Sequence, residues 1–314
     1  MLKYVGPSAD RMRRWGVGVA IAAVMVPVAG LTLASPALAI EPTGDFAVFK
    51  QCPRFTPGVL LCIHSETLSG EVTLHKQKVP INEDKKHPIV LQGGIAVINE
   101  AGAEAFVGAL NGETLSKTPQ NVPGGLTGLV NCTEIKGSGF LETLEREACK
   151  LVFENKTTGV SAITELAKPA SEIGISTHNL EVKEGVALSL PVKIRLENTF
   201  LGSECYIGSS AHPVVLNLTS GTTSPAAPNK PITGKAGFLS FKDEFEFVEI
   251  TENTLVNNEF AAPEASGCGG IFSFLIDPII DSKIGLPSPD GYNTAIQNNT
   301  IKLGGVEGVI KSEK

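Results

Sequence analysis

A hydroxyl and an imidazole lie close together in the segment Ser209-Ser210-Ala211-His212. A serine activated by histidine would hydrolyse esters or amides, but it also needs an orienting carboxylate and an oxyanion hole. Closeness in the sequence supplies neither requirement, and a turn between two strands explains the same residues. We therefore predict a turn here and assign no catalytic residue.

Metal binding is the second chemistry to consider. The histidines, at positions 64, 75, 87, 178 and 212, lack ligand spacing. His64 and His75 could meet across a hairpin, but two imidazoles without a third ligand make a poor metal site. Asp277, Asp281 and Asp290 lack the spacing of a calcium loop, so we interpret Asp277 as a helix cap and Asp290 as a turn residue. The sequence contains no C-x-x-C pair, the spacing that is typical of zinc ligands. The sequence predicts no metal and no cofactor.

Two segments are candidates for contact with a partner. Phe245-Glu246-Phe247 would place two rings on one face of a strand, although burial in the core is the more usual position for phenylalanine. Residues 219–231, rich in Ser, Thr, Pro and Gly, predict a long loop within a domain. Such a loop either binds a partner or has no role.

The cysteines are the clearest structural signal. There are six, at positions 52, 62, 132, 149, 205 and 268. An even number in an oxidising compartment predicts three disulfides, for which the sequence allows fifteen pairings. We expect sequential pairs: Cys52 with Cys62, Cys132 with Cys149, and Cys205 with Cys268. Each of the first two would close a short loop and contribute about 3 kcal/mol.

The first 39 residues have the pattern of a signal peptide. Basic residues, an apolar run from Trp15 to Leu33 and the small-residue end Ala37-Leu38-Ala39 predict cleavage before Ile40. The alternative is an uncleaved membrane anchor. Arg13-Arg14 hints at a twin-arginine signal, so the export pathway stays open. The expected location is secreted or cell-surface associated.

The charge of the remaining chain argues against some partners. The first 39 residues hold four of the 26 basic residues and one of the 33 acidic residues, leaving 22 against 32, or about −10. Such an acidic chain repels phosphate backbones, so we expect no nucleic-acid partner. No second apolar run is long enough to span a membrane.

Hydrophobic alternation predicts the fold class. Every second residue from Val186 to Leu196 is apolar, which is typical of a half-buried strand, and Pro191 suggests an edge or a bulge. Further strand signals lie at 59–63, 71–74, 89–91, 95–98, 214–218, 238–241, 245–250 and 301–303. We predict a mainly β fold of antiparallel β-sandwich or barrel modules, stapled by disulfides.

Two short helices interrupt the strands in this prediction, at 140–150 and at 277–285. The 275 residues after the signal peptide suffice for two domains, an N-terminal β region at 40–170 and a C-terminal one at 171–314. One continuous β domain at 40–314 is the alternative.

Four segments carry a resemblance to known sequences. They are Val90-Leu91-Gln92-Gly93-Gly94, Phe153-Glu154-Asn155-Lys156-Thr157-Thr158-Gly159, Leu201-Gly202-Ser203-Glu204-Cys205-Tyr206-Ile207-Gly208-Ser209 and Gly267-Cys268-Gly269-Gly270. With these segments the chain resembles uncharacterised secreted proteins of actinobacteria over most of the exported part. The resemblance implies export and a bacterial origin, and it implies no activity.

Three functions remain as hypotheses. The first is a non-enzymatic exported β protein that acts by contact with an extracellular or envelope partner. The second is a carrier of a small apolar ligand in a β cavity. The third is an extracellular hydrolase, which requires Ser209 or Ser210, His212 and a carboxylate to converge.

Overall fold

Antiparallel strands dominate the computed structural model, which describes residues 40–98, 102–126, 159–243 and 246–314. The prediction of a mainly β, antiparallel, disulfide-stapled fold is confirmed. Residues 1–39, the helix predicted at 140–150 and the pair Cys132–Cys149 lie outside the described residues. From Ile40 to Lys314 the chain forms one compact unit.

The regular elements are short apart from a few long strands. In chain order the strands are β1 (Val59–Leu74), β2 (Gln77–Ile81), β3 (Ile89–Val97), β4 (Glu104–Gly108), β5 (Gln120–Asn121), β6 (Ser161–Leu166), β7 (Gly174–Ile175), β8 (Leu188–Glu197), β9 (Tyr206–Ile207), β10 (Val214–Leu218), β11 (Phe238–Lys242), β12 (Phe247–Asn257), β13 (Ala265–Ser266) and β14 (Thr294–Gly305). The α-helices are α1 (Thr177–Val182), α2 (Ser273–Ile284) and α3 (Val306–Lys311). Short 3-10 helices lie at Gly44–Phe49, Ala170–Glu172 and Gly270–Phe272.

The described strands form two sheets. The first has the order β11-β12-β14-β1-β3-β4, with β2 paired to the second half of β1. The second has the order β13-β9-β8-β6-β5, with β7 and β10 also paired to β8. Apolar side chains from both sheets and from α2 form one core, represented by Ile95, Val192 and Ile280. Burying these faces against each other is what holds the sheets together.

Strand β8 shows how the alternating pattern produces this core. Leu190, Val192 and Leu196 are buried on the inner face, as their spacing predicts. The edge position expected from Pro191 is wrong, because β8 is central and Pro191 pairs in register with Val215. Pairing with β6 ends at Val192, so the missing N–H of the proline falls where that ladder has already stopped.

A buried polar row crosses the first sheet. The Thr67 hydroxyl donates to Asn299 Oδ1 at 2.8 Å, and Asn299 Nδ2 donates to Asn253 Oδ1 at 3.3 Å. Pairing shifts by a bulge beside this row on both sides of β14. The row explains why 59–63 and 71–74, expected as separate strands, are one strand of 16 residues. The polar side chain in the middle of β1, Thr67, has its hydrogen bond satisfied by the neighbouring strand β14.

A second, smaller apolar cluster covers the outer face of the first sheet. Its members, the outer aromatic cluster, are Phe46, Phe49, Cys52, Cys62, Phe247 and Val309. The Phe247 ring lies 5.6 Å from the Phe46 ring and 5.9 Å from the Phe49 ring, centroid to centroid. The contact strip considered for Phe245-Glu246-Phe247 is therefore wrong for Phe247, which is buried; Phe245 lies outside the described residues.

Helix α2 ends where the sequence predicts and begins earlier. Gly285 adopts the left-handed conformation with φ 92° and closes the helix. The predicted start at Asp277 and Pro278 is wrong, since both residues lie inside the helix. The helix begins four residues earlier because the 3-10 turn Gly270–Phe272 leads directly into it.

Candidate functional site

The segment considered for nucleophilic catalysis is a turn. The His212 N–H donates to Ser209 Oγ at 3.0 Å, and the Ser209 N–H donates to the His212 carbonyl at 3.0 Å. These bonds join β9 to β10 and confirm the predicted turn. Among the described residues, no hydrogen bond joins the Ser209 or Ser210 hydroxyl to the imidazole. The geometry that serine hydrolysis requires is not assembled by these bonds.

The histidines are dispersed. His64 bonds to Glu66 Oε1 at 3.0 Å, and the His75 ring stacks on Tyr292 with centroids 5.0 Å apart. The contact considered for His64 and His75 does not form, because His64 lies within β1 and His75 follows its last residue, Leu74, with about 33 Å of strand between His64 and Leu74. Within the described ranges, no three His, Cys, Asp or Glu side chains are placed to hold a metal ion.

Two cavities that described residues line between the sheets are small. One apolar cavity of about 50 Å³ lies between β1, β2 and β8, with Leu74, Val79 and Leu196 among its lining residues. Another, of about 30 Å³, lies beside α1 and β14. Small-molecule sites usually measure about 300–1,000 Å³. A ligand carried in either of these two cavities would therefore require the sheets to separate before it could enter.

The long loop at 219–231 is fixed to the body of the protein. Thr219 pairs with Val256, and Asn229 Nδ2 donates to the Asn258 carbonyl at 3.2 Å and the Asn293 carbonyl at 2.8 Å. Asn293 is itself fully buried. The loop therefore lies within the unit formed by Ile40–Lys314 and is built as a packed surface layer.

Both expected disulfides of the described residues are present, and one anchors an exposed apolar group. Cys52 is bonded to Cys62, and Cys205 to Cys268. Directly after Cys268 the chain presents three large apolar side chains to solvent. They are Ile271, Phe272 and Phe274, exposed by 85%, 52% and 68%, and together form the apolar projection.

The loop that precedes the projection is held by the helix that follows it. Asp277 accepts the Cys268 N–H on Oδ1 at 2.8 Å and the Gly267 N–H on Oδ2 at 3.1 Å. Asp281 Oδ1 accepts the Ala265 N–H at 2.7 Å. Asp277, predicted as a cap of its own helix, instead satisfies the backbone of a neighbouring loop. Together with the disulfide, these bonds fix where the projection starts.

The backbone and the inner face of α2 keep the projection pointing outward. Gly269 has φ 78°, and a Cβ there would approach Ile276 Cγ1 to 2.7 Å, so glycine is required for this turn. Ile276, Ile280 and Ile284 are buried in the core. Because these side chains fix the rotation of the helix, Phe274 lies on the opposite, solvent side.

Acidic groups surround the base of the projection. Burial raises the pKa of the Asp277 carboxyl above its ordinary value, against the hydrogen bonds from Cys268 and Gly267. Burial also raises the pKa of Asp281, and the negative charge of Glu264 adds to the increase at both carboxyls. Glu264 is itself exposed. The projection is therefore apolar at its tip and negatively charged at its base.

The fold and this surface define a class, a disulfide-stabilised antiparallel β protein with a fixed apolar projection. In comparisons with protein-family models, characterised proteins and solved structures, the chain matches none. Among the described residues, none of the helices is both long and apolar enough to cross a membrane. The two disulfides are compatible with an extracellular location.

Proposed function

We propose that this chain is an exported binding protein that acts by contact through the apolar projection. The observation that carries the proposal is the exposure of Ile271, Phe272 and Phe274 on a loop fixed by Cys205–Cys268. A contiguous group of large apolar side chains in water favours association, and it is typical of interaction sites. Holding the group rigid lowers the entropy lost on binding.

The acidic base of the projection indicates the chemistry of the partner. Glu264, Asp277 and Asp281 lie at the loop that leads into the projection and favour a protein with an apolar pocket bordered by Lys or Arg. Anionic lipid surfaces attract basic segments and would be repelled here. An envelope or extracellular protein therefore fits better than a membrane surface.

Export of this binding protein rests on two supports. Residues 1–39 have the composition of a signal peptide, and the described part contains two disulfides. Secretion through the native leader should therefore yield a protein whose first residue is Ile40, as read by N-terminal sequencing. A secreted protein that still begins at Met1 would contradict removal of the leader.

The contact function is tested by removing one ring from the projection. We expect Phe274→Ser to weaken binding to envelope fractions of the source bacterium by about tenfold or more, because buried aromatic residues dominate interface energies. Leu110→Ser, which changes an exposed apolar residue elsewhere, is the matched control. Binding of the unaltered protein should also weaken as salt screens the acidic base.

Two results would contradict this proposal. One is equal binding of the Phe274→Ser and Leu110→Ser proteins. The other is turnover of an ester, amide or glycoside substrate that a single substitution at Ser209, Ser210 or His212 abolishes. That second result would establish the hydrolase alternative instead.

A further inference from the structure

A surface groove of about 540 Å³ lies where three separate segments of the chain meet. Its walls come from 211–215, 261–263 and 287–289. Apart from Ser288 and His212, every lining residue is a proline, an alanine or a valine. The volume falls within the roughly 300–1,000 Å³ of small-molecule sites, and an apolar lining with few polar groups is typical of them.

The walls of this groove are fixed to one another. Ala262 and Ser288 exchange two backbone hydrogen bonds of 2.8 Å, which join the second wall to the third. The buried Asn293 Nδ2 donates to the Phe260 carbonyl at 2.7 Å and to the Pro289 carbonyl at 3.1 Å. Each proline of the lining also fixes its own φ. The groove is therefore formed before a ligand arrives, which lowers the entropy lost on binding.

The Ser288 hydroxyl is the unsatisfied polar group of the groove. Only 1% of the residue is exposed, and Ser288 Oγ has no hydrogen-bond partner among the described residues. Buried hydroxyls are nearly always hydrogen-bonded, because an unpaired one destabilises the fold. A serine hydroxyl both donates and accepts, and it turns among staggered rotamers, so Oγ can bond to a polar group held in the groove.

The surroundings of Ser288 select against charged ligands. Among the lining residues only His212 is titratable, and it is exposed to solvent. A charged group at the buried Ser288 would therefore lose its hydration without gaining an opposite charge. Two exposed carboxylates, Glu264 and Asp290, directly follow wall residues in the sequence and repel anions. A neutral ligand is favoured over a carboxylate or a phosphate.

We propose that this groove binds a neutral phenol, with the aromatic ring against the proline rings and the phenolic hydroxyl bonded to Ser288 Oγ. Proline rings and aromatic rings pack well together, as in the recognition of proline-rich segments. A cavity of about 150 Å³ holds one benzene ring, so the groove has room for two fused rings. None of its lining residues belongs to the apolar projection, so this site goes beyond the proposed function.

Titration with 2-naphthol, a two-ring phenol that is neutral at pH 7, tests the site. The only tryptophan, Trp15, lies in the leader, so the emission anisotropy of the probe is read without a tryptophan background. We expect saturable binding with a dissociation constant on the order of 0.1 mM. The matching anion, 2-naphthoate, should bind about tenfold more weakly or worse. Absence of saturation, or equal binding of the two probes, would overturn the proposal.

Removing the hydroxyl tests its role in binding. Ser288→Ala should weaken 2-naphthol binding about three- to tenfold, because one neutral hydrogen bond is lost. Its urea midpoint should be no lower than that of the unaltered protein, since the hydroxyl has no partner within the described chain. Ser282→Ala, at an exposed serine of α2, is the control for both measurements. Unchanged binding, or a lowered midpoint, in Ser288→Ala would overturn the assignment of this hydroxyl to the ligand.

Filling the groove tests where the probe binds. Ala261→Phe places a ring in the groove from an exposed position on its second wall and should abolish saturable 2-naphthol binding. Ala47→Phe, at an exposed alanine of the 3-10 helix Gly44–Phe49, is the matched control and should bind like the unaltered protein. Equal binding by the two variants would show that the probe lies elsewhere and would overturn the site.

Discussion

The two described disulfides each lie beside an apolar group, and the two groups differ in their exposure to solvent. Cys52–Cys62 lies within the outer aromatic cluster, where Phe49 is 1% exposed. Cys205–Cys268 precedes the apolar projection, where three large side chains face water. In the first region apolar area is buried and stabilises the fold. In the second it contributes little to folding and is available for a partner.

The comparison shows that similar covalent anchors serve two purposes. At Cys52–Cys62 apolar side chains from three elements pack with the disulfide: two rings from the 3-10 helix at Gly44–Phe49, one ring from β12 and Val309 from α3. At Cys205–Cys268 the loop is instead stabilised by hydrogen bonds that its backbone N–H groups donate to the carboxylates of Asp277 and Asp281. Buried and exposed apolar groups are thus anchored in two separate regions of the chain, so each region can be altered without the other.

The largest expected difference between the two regions is in the free energy of unfolding after one ring is removed from each. Phe49→Ala should lower the free energy of unfolding by about 3–5 kcal/mol, because it empties a fully buried aromatic position. Phe272→Ala, in the projection, should change it by less than about 0.5 kcal/mol. Urea denaturation of both variants measures this contrast. Equal losses would show that the projection is a structural element, and the comparison would fail.

Removing either disulfide should lower the free energy of unfolding by a comparable or somewhat smaller amount. The bonded cysteines are 63 residues apart for Cys205–Cys268 and 10 apart for Cys52–Cys62. In the chain-entropy model, replacing both cysteines by alanine costs about 4 kcal/mol for the first pair and about 3 kcal/mol for the second. Urea midpoints of the two double variants give this order. The reverse order would mean that packing around Cys52–Cys62 outweighs loop length.

A smaller effect depends on pH and belongs to the projection. Because burial raises the pKa of Asp277 and Asp281 above the ordinary value of 3.8, the folded chain binds these protons more tightly than the unfolded chain. Their contribution to the free energy of unfolding is therefore greatest at low pH and falls as the pH rises through the raised pKa values. Asp277→Asn should make this fall shallower in urea titrations at several pH values.

Asp290→Asn, in the turn before β14, is the control for this measurement. The difference between each variant and the unaltered protein isolates one carboxyl from the other titrating groups. An unchanged slope in Asp277→Asn would show that this carboxyl binds its proton equally well in the folded and the unfolded chain, and would contradict the raised pKa.

Much of the fold was predictable because its strands obey local rules. Strand β10 has the bounds 214–218 that the alternation of apolar residues predicts. The end of α2 was predictable from Gly285, because glycine readily adopts the left-handed conformation there. The start of α2 was not, because Asp277 has a partner distant in sequence, the loop at Gly267 and Cys268, which outweighs its local tendency to cap a helix.

The apolar projection could not be predicted from the sequence because of its composition. From Ile271 to Ile280 most residues are apolar, so hydrophobic periodicity does not separate Phe274, which is exposed, from Ile276, which is buried. One available signal was the glycine-rich start, Gly267-Cys268-Gly269-Gly270, which indicates a tight turn fixed by a disulfide. Which side of α2 is buried depends on how the helix packs against the sheets, and the spacing of apolar residues does not predict it.

The buried row of Thr67, Asn299 and Asn253 has a consequence for how the chain reaches its structure. If β1 slipped by one residue against β14, these side chains would lose their partners, at about 1–3 kcal/mol for each unsatisfied polar group. A sheet with slipped pairing would thus be less stable than the correctly paired sheet, because its buried polar side chains would lack hydrogen bonds. The row therefore selects one alignment of β1 against β14 while the sheet forms.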